Sequence, residues 1–179
     1  MSDAAFEAFV RRFQDMVFAT AVRLLGNPVE AEDVAQTVFL RAFERFDTIG
    51  ESPAAAGWLK AVTRHACLNH LARYRKRWRL FSEMARTADE SETPMKATLP
   101  SPDSPAKTFE RERQEQELEQ ALRQLPDHQR VPLVLFHFDD MSYQDIATLL
   151  GVSLGKVKTD IHRGREALRK HLAGTDASR

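Results

Sequence analysis

The stretch 142–172 restricts the possible folds of this chain more than any other part of the sequence. Ser142 can cap a first helix, with Asp145 as its reciprocal partner, and Gly151 can adopt the positive φ that ends a helix. Ser153 can then cap a second helix that continues to the end of the stretch. Two helices joined by so short a glycine turn predict a helix-turn-helix.

At about 100° per residue, the second of these helices has an apolar side and a cationic side. Val157, Ile161 and Leu168 form the apolar side, which should pack on the rest of the fold. The cationic side suits the major groove of DNA, although an ordinary solvated face can have the same composition. The preceding helix and turn favour DNA. The predicted DNA-facing residues are Lys156 at the edge of the face, Lys158, Thr159, His162 and Arg163.

Positive and negative charges are separated along the sequence, although they cancel overall. Lys and Arg number 26 and Asp and Glu also number 26, a balance that alone argues against a nucleic-acid-binding protein. Residues 60–79, however, hold seven basic and no acidic side chains, and residues 150–179 hold seven basic and three acidic ones. Two basic islands in an acidic chain indicate two surfaces for nucleic acid.

The first basic island lies on a predicted helix that begins near Ser52 and Pro53. Its end, RYRKRWR at 73–79, interleaves cations that can meet phosphates with aromatic rings that can stack on unpaired bases. A charged helix end favoured by the helix dipole is the alternative interpretation. Seven cations without one acid exceed what a helix end needs, so we expect this segment to bind nucleic acid.

The remaining segments also predict helices, so the expected fold class is all-α. Apolar residues recur at helical spacing over 4–25, and Asn27 can cap a second helix that runs to about Phe46. The residues of this second helix expected to be mostly core are Val34, Val38, Leu40, Phe43 and Phe46. Two further helices are predicted at 109–125 and 127–138, with Pro132 either kinking the latter or marking its true start.

The segment 87–107 separates two predicted domains. It contains four prolines, several Ser and Thr residues and no apolar periodicity, a composition typical of a linker. About twenty structureless residues would be unusual inside one compact domain. We therefore predict a helical domain over 1–86, a flexible linker over 87–107 and a helix-turn-helix domain over 108–174.

Several functional classes lack support in the sequence. It contains no phosphate-binding glycine loop, nucleophile elbow or paired metal ligands, so neither catalysis nor a cofactor is expected. On a helix His65, Cys67 and His70 would point in different directions, which argues against a metal site and favours buried packing for Cys67. Cys67 is the only cysteine, and neither a signal peptide nor a membrane-spanning run is recognised. A reducing, cytoplasmic location is the default expectation.

Three stretches resemble bacterial RNA polymerase sigma factors of the sigma-70 family, in the extracytoplasmic-function (ECF) group. AEDVAQTVFLRAF, at 31–43, resembles their segment for binding the clamp helices of the polymerase. GWLKAVTRHACLNHLARYRKR, at 57–77, resembles their promoter-melting segment. The stretch LPDHQRVPLVLFHFDDMSYQDIATLLGVSLGKVKTDIHRGR, at 125–165, resembles their reader of the −35 element. The order of the three stretches makes the resemblance specific.

The resemblance implies a non-enzymatic transcription initiation factor. Its partners would be core RNA polymerase, promoter DNA and an anti-sigma protein. Polymerase contacts would come from Asp33, Gln36 and Phe39. The loop 48–53 and the helix around Asn69 would hold a flipped base of the −10 element. The melted strand would be contacted by Arg64, Arg73, Arg75 and Lys76. The −35 element would be read by Lys156, Lys158, Thr159, His162 and Arg163. The sequence departs from the family pattern at Thr37 (usually Glu), His65 (Asn), Lys156 (Thr) and Asp160 (Arg).

Two other functional classes are compatible with parts of the sequence. A helix-turn-helix regulator could use the N-terminal helices as a dimerisation or ligand module, but it would not need the aromatic and basic segment 58–79. A DNA recombinase would need a catalytic serine or tyrosine with an arginine cluster. The 86 residues before the predicted linker leave little room for such a catalytic domain.

Overall fold

The computed structural model describes residues 3–72 and 105–176, and in these two ranges it contains eight helices and no strand. The predicted all-α fold is confirmed for this part of the chain. The first range contains α1 (Asp3–Leu25), α2 (Pro28–Glu44), α3 (Phe46–Ile49) and α4 (Ala55–His70). The second contains α5 (Pro105–Gln124), α6 (Asp127–His137), α7 (Tyr143–Leu150) and α8 (Leu154–Asp176).

The predicted start and stop signals of several helices are confirmed. Asn27 caps α2, its Oδ1 accepting from the backbone N–H of Val29 at 3.0 Å. Ser142 caps α7, its Oγ accepting from the N–H of Asp145 at 3.1 Å and donating to the Asp145 carboxylate at 2.7 Å. Gly151 ends α7 in the left-handed conformation with φ 68°. These interactions join residues at most four apart, which is why the sequence reveals them.

Other boundaries differ from the predictions. Helix α2 ends at Glu44 rather than near Phe46, and the short helix α3 follows where a loop was expected to begin. Helix α6 continues through Pro132, so Pro132 does not mark its start. Helix α5 begins at Pro105, inside the end of the predicted linker. The rest of that linker, residues 87–104, lies outside the described residues.

Each half of the structure buries its own set of apolar side chains. In the first half α1 packs against α2 and α4, and in the second half α6 and α7 pack against α8. Fully buried residues of the first half include Val17, Leu24, Val38, Leu59 and Leu68. Those of the second half include Leu133, Leu135, Ile146 and Ile161. The two sets are in contact and form one continuous hydrophobic cluster.

The C-terminal end of α1 is capped by Arg130 of α6. Arg130 is 3% exposed, and its guanidinium donates to the carbonyl oxygen of Leu25 at 2.8 Å and to that of Leu125 at 2.6 Å. It also pairs with the Asp127 carboxylate. Gly26, with φ 70°, ends α1 directly beside this guanidinium. The carbonyls at the end of α1 are therefore satisfied by a side chain from the other half of the chain.

Candidate nucleic-acid interface

Helix α8 buries its apolar side and presents its cationic side to solvent. Val157 and Ile161 are 1% and 0% exposed and pack in the hydrophobic cluster. Gly164, on the same side, lets α8 approach α6 closely, because an added Cβ would lie 3.3 Å from the carbonyl oxygen of Gln129. The side chains on the outward surface are Lys158, His162 and Arg163, which are exposed, and Thr159, which is half-buried. We call these four residues the α8 surface.

The start of the α8 surface leaves room for a close approach. Gly155 is exposed, and a Cβ added to it would meet no atom within 4 Å. Ser153 caps this end of α8, its Oγ accepting from the N–H of Lys156 at 3.2 Å. About two turns later, His162 Nε2 lies 3.8 Å from the Glu166 carboxylate. The helix N-terminus, with its positive dipole end, is therefore uncovered next to the cationic residues.

Lys156 was predicted at the edge of the DNA-facing side, but its side chain turns into the protein. Lys156 is 8% exposed and Asp160 is 5% exposed, and the Lys156 ammonium bonds to the Asp160 carboxylate one helical turn later. Burial raises the pKa of Asp160, while the neighbouring ammonium favours its ionised form. In this arrangement Lys156 neutralises Asp160 and does not extend the α8 surface.

The predicted −10 residues are only partly within the described residues. Arg64 and Asn69 both lie on α4, with Arg64 half-buried and Asn69 exposed. Five residues on a helix separate their directions by about 140°, so α4 does not bring the two side chains together. Arg73, Arg75 and Lys76 lie outside the described residues. The loop that was predicted to hold a base, 48–53, borders an open cleft of about 740 Å³ together with Phe9 and Arg12.

His65, Cys67 and His70 do not share one environment. Cys67 is fully buried, as predicted, whereas His65 is exposed. His70 Nε2 lies 3.1 Å from the Glu30 carboxylate, on α2. Burial and the negative charge of Asp139 raise the pKa of the Cys67 thiol to about 12. The thiol is therefore protonated and packed rather than reactive.

A groove between α1 and α2 is lined by two of the three predicted polymerase-binding residues. It has a volume of about 910 Å³, and Gln36 and Phe39 line it. Asp33 is exposed one turn before Gln36, where its carbonyl oxygen accepts a hydrogen bond from the Thr37 hydroxyl at 3.0 Å. The apolar residues of the lining are Phe6, Val10, Phe18, Ala35, Phe39, Leu40 and Phe43.

Leu40 and Phe43 correct the prediction that the apolar residues of α2 are mostly core. Leu40 is 67% exposed and Phe43 is 42% exposed, whereas Val38 is fully buried. At about 100° per residue Leu40 points 200° and Phe43 points 140° away from Val38. Helical periodicity thus places Leu40 and Phe43 on a different side of α2 from Val38, and the packing of the other helices leaves that side partly exposed.

Comparison with known proteins identifies the family. Two family models match the chain: Sigma-70 region 2 over residues 9–79, and Sigma-70, region 4 over residues 115–168. The ECF RNA polymerase sigma factor SigW of Bacillus subtilis is 32% identical over 168 residues, which are 94% of this chain and 89% of SigW. The chain belongs to the ECF group of RNA polymerase sigma factors.

Further proteins are similar to this sigma factor. The RNA polymerase sigma-E factor of Streptomyces coelicolor is 32% identical over 171 residues, which are 96% of this chain and 88% of the Streptomyces protein. Among solved structures, the sigma factor RpoE of Bartonella quintana, in complex with the anti-sigma factor NepR, is similar with a TM-score of 0.48. It is 24% identical, with 94% of this chain and 96% of the RpoE chain covered.

The two family matches explain both halves of this sigma factor. Region 2 includes α2 to α4 and most of α1, and region 4 contains the helix-turn-helix of α7 and α8. It is a transcription initiation factor, and the interpretation as a helix-turn-helix regulator is not favoured because region 2 accounts for its N-terminal helices. Within 3–72 and 105–176, no helix combines the length and apolar character needed to cross a membrane.

Two half-buried histidines of α6 are expected to make the stability of the sigma factor sensitive to acid. Burial lowers the pKa of His128 and of His137 below the ordinary 6.5, and the positive charge of Arg165 lowers that of His137 further. Arg165 Nε donates to His137 Nε2 at 3.2 Å, which requires an unprotonated acceptor. The unfolded chain therefore binds more protons below pH 6.5, so stability present above that pH is lost as the pH falls.

We expect His137→Gln to reduce this loss of stability, because glutamine can accept from Arg165 but does not titrate. The difference in thermal midpoint between pH 7.5 and pH 5.5 should be smaller in the variant than in the wild type. His65→Gln, at an exposed position of α4, is the matched control and should keep the wild-type difference. Equal differences in all three proteins would show that His137 does not titrate in this range.

Proposed function

We propose that this sigma factor uses the α8 surface to read the −35 element, α4 and the segment after it to open the −10 element, and α2 to bind core RNA polymerase. The observation that carries the proposal is the α8 surface itself. A capped second helix of a helix-turn-helix has its apolar side buried and Lys158, His162 and Arg163 outward. An α-helix with cationic and short polar groups at its N-terminal end fits the major groove.

The proposed −35 contacts are Lys158, Thr159, His162 and Arg163. Lys156 has a different proposed role, because its ammonium is paired with Asp160 inside the protein. By neutralising Asp160, Lys156 removes the repulsion that a bare carboxylate would exert on nearby phosphates. The exposed residues of the α8 surface would then make the contacts to DNA.

The proposed −10 contacts come from α4 and the segment that follows it. Asn69 is exposed, and its amide can pair with the edge of an extruded base. The arginines and the lysine of this region would bind the phosphates of the opened strand. The proposed strand contacts are Arg64, Arg73, Arg75 and Lys76, and the loop 48–53 would hold the extruded base with Asn69.

The groove between α1 and α2 is the proposed polymerase-binding site. Gln36 and Phe39 line this groove, Asp33 is exposed one turn before Gln36 on the same helix, and Leu40 and Phe43 enlarge the apolar area. Large apolar side chains that stay exposed beside polar ones are typical of a protein interface. The chain itself would carry out no chemistry, and its place would be the cytoplasm, where polymerase and promoter DNA are found. A separate anti-sigma protein is a further proposed partner.

Run-off transcription tests the proposal. Purified core polymerase should produce specific transcripts from a promoter library only when this sigma factor is added. The isolated sigma factor should retain promoter duplex poorly, because its net charge is zero and its two basic islands lie in separate regions. Tight, sequence-specific binding by the chain alone, without stimulation of core polymerase, would contradict the proposal.

The double variant Asp33→Ala, Gln36→Ala should compete less well for core polymerase than the wild type. Each polar truncation at an interface costs about 1 kcal/mol, so the pair should weaken binding by roughly tenfold or more. Both side chains are exposed, so the thermal midpoint should not change. Glu44→Ala, exposed at the end of the same helix and not part of the groove, is the control. Unaltered competition by the double variant would refute the assignment of this surface.

A further inference from the structure

Arg64 of α4 is engaged by an acidic residue from the other half of the chain. Its Nη1 lies 3.4 Å from the Asp139 Oδ2, and Asp139 belongs to the turn between α6 and α7. The Arg64 side chain is 23% exposed and that of Asp139 only 9%. The negative charge of Asp139 also helps to raise the pKa of Cys67, which places this carboxylate close to the core of α4.

The contact between Arg64 and Asp139 leaves part of the arginine unused. The Arg64 Nε is buried and has no hydrogen-bond partner. A buried donor without a partner costs free energy, and most buried polar groups in proteins have a partner. At 3.4 Å the single bond to Asp139 is also longer than the usual distance for a charged pair. Arg64 can therefore gain by exchanging Asp139 for an anion that accepts from both nitrogens.

Neighbouring contacts hold Asp139 in place. Arg23, near the end of α1, places its guanidinium 4.4 Å from the centre of the Phe138 ring, next to Asp139 in the sequence. The Arg23 Nε also donates to the Glu119 carboxylate of α5 at 2.5 Å. Together with Arg130, which caps α1, these contacts join α1 to α5 and α6. The position of Asp139 beside Arg64 is thus part of an interface between the two halves.

We propose that Asp139 acts as an internal substitute for a DNA phosphate, which occupies Arg64 in the free chain and withholds it from the −10 strand. The proposal rests on the proposed function, in which Arg64 contacts that strand. A carboxylate and a phosphodiester both accept from a guanidinium, and a phosphodiester in an open strand can bind two of its donors. Promoter DNA would therefore release the interface between the halves when it takes Arg64.

Binding of a short single-stranded DNA oligonucleotide of mixed sequence tests the competition, because a phosphate contact needs no particular sequence. Asp139→Asn should bind the oligonucleotide about three- to tenfold more tightly than the wild type, the range expected for a charged contact of this geometry. The matched control is Asp140→Asn, which removes the same charge from the neighbouring exposed residue. Asp140→Asn should gain much less. Equal gains in affinity for Asp139→Asn and Asp140→Asn would show that only the net charge of the protein matters, and would overturn the proposal.

A second pair of variants shows whether the gain passes through Arg64. Arg64→Gln should weaken oligonucleotide binding, and Asp139→Asn should add no gain in the Arg64→Gln background. If Asp139→Asn still tightens binding in that background, Asp139 does not act through Arg64. If Arg64→Gln weakens binding neither in the wild type nor in Asp139→Asn, Arg64 does not contact the strand. Both its proposed role at the −10 element and its proposed competition with Asp139 would then be wrong.

Distance measurements report on the interface independently of affinity. Spin labels can be placed on Lys60→Cys in α4 and Lys170→Cys in α8, two exposed positions. The native Cys67 is buried and should react slowly with the label, so the two introduced cysteines are labelled selectively. We expect a narrow distance distribution in the free protein and a broader or longer one with saturating oligonucleotide. An unchanged distribution in the saturated protein would overturn the release step, even if Arg64 proves to be a strand contact.

Discussion

Replacing Gly26 by alanine is expected to destabilise the protein by about 2–4 kcal/mol, the sum of backbone strain and a displaced buried arginine. Gly26 has φ 70°, a conformation in which a Cβ clashes with its own backbone. The added Cβ would also lie 2.6 Å from Arg130 Cζ and 2.7 Å from Arg130 Nη1. The guanidinium would have to move away from the Leu25 and Leu125 carbonyls, which are its hydrogen-bond acceptors.

Urea titration of four variants, Gly26→Ala, Gly57→Ala, Arg130→Ala and the double variant of Gly26 and Arg130, separates the two contributions. Gly57→Ala lies inside α4, where an added Cβ meets open space, and it should be neutral or stabilise by up to about 1 kcal/mol. In an Arg130→Ala background, Gly26→Ala should cost only the backbone strain, because no guanidinium remains to be displaced. An equal cost of Gly26→Ala in both backgrounds would show that Arg130 adapts without loss.

Replacing Arg163 or Lys158 by alanine is expected to impair promoter recognition at the −35 element. If the side chain reads a base edge, its loss should cost about 1–3 kcal/mol and relax the preference at one position. If it contacts only phosphate, binding should weaken for all sequences and the salt slope should fall by about 1. Binding of the holoenzyme to a library of promoters that differ in the −35 element, measured at several salt concentrations, distinguishes base reading from phosphate contact. Arg169→Ala, exposed further along α8, is the control.

Asn69→Ala should leave −35 binding intact and impair opening of the −10 element. A methyl group cannot pair with the edge of an extruded base as the amide can, so a pre-melted bubble template should restore opening only in part. Permanganate footprinting of the −10 region on duplex and bubble templates reports both steps. Normal opening by Asn69→Ala, or an opening defect confined to Arg163→Ala, would contradict the roles assigned to α4 and α8.

Local interactions made much of this fold readable from the sequence. The caps at Asn27 and Ser142 and the left-handed Gly151 each involve residues at most four apart, so a short pattern contains both partners. The two-sided character of α8 follows in the same way from helical periodicity, which placed Val157 and Ile161 inward. These signals determined the all-α class and the helix-turn-helix, and the resemblance of three stretches indicated the sigma factor family.

The candidate site was less completely predictable, even where the pattern was local. The i, i+4 spacing of Lys156 and Asp160 permits an ion pair, but only the packing of α8 shows that the pair is buried. Leu40 and Phe43 counted as core because they are apolar. Whether an apolar side chain is covered depends on which neighbouring helix lies above it, and nothing in the described structure covers these two fully.

The sequence by itself determined most of the helices, several of their caps and most of the outward face of α8, because these depend on neighbours within a few residues, and the order of three stretches indicated the family. Only the tertiary structure decided which distant side chains meet. Arg64 and Asp139 are 75 residues apart, and Arg130 is 105 residues from the Leu25 carbonyl that it caps. No periodicity connects such positions. Their meeting depends on how the two halves pack, where burial and ion pairing across the interface favour one arrangement of the helices.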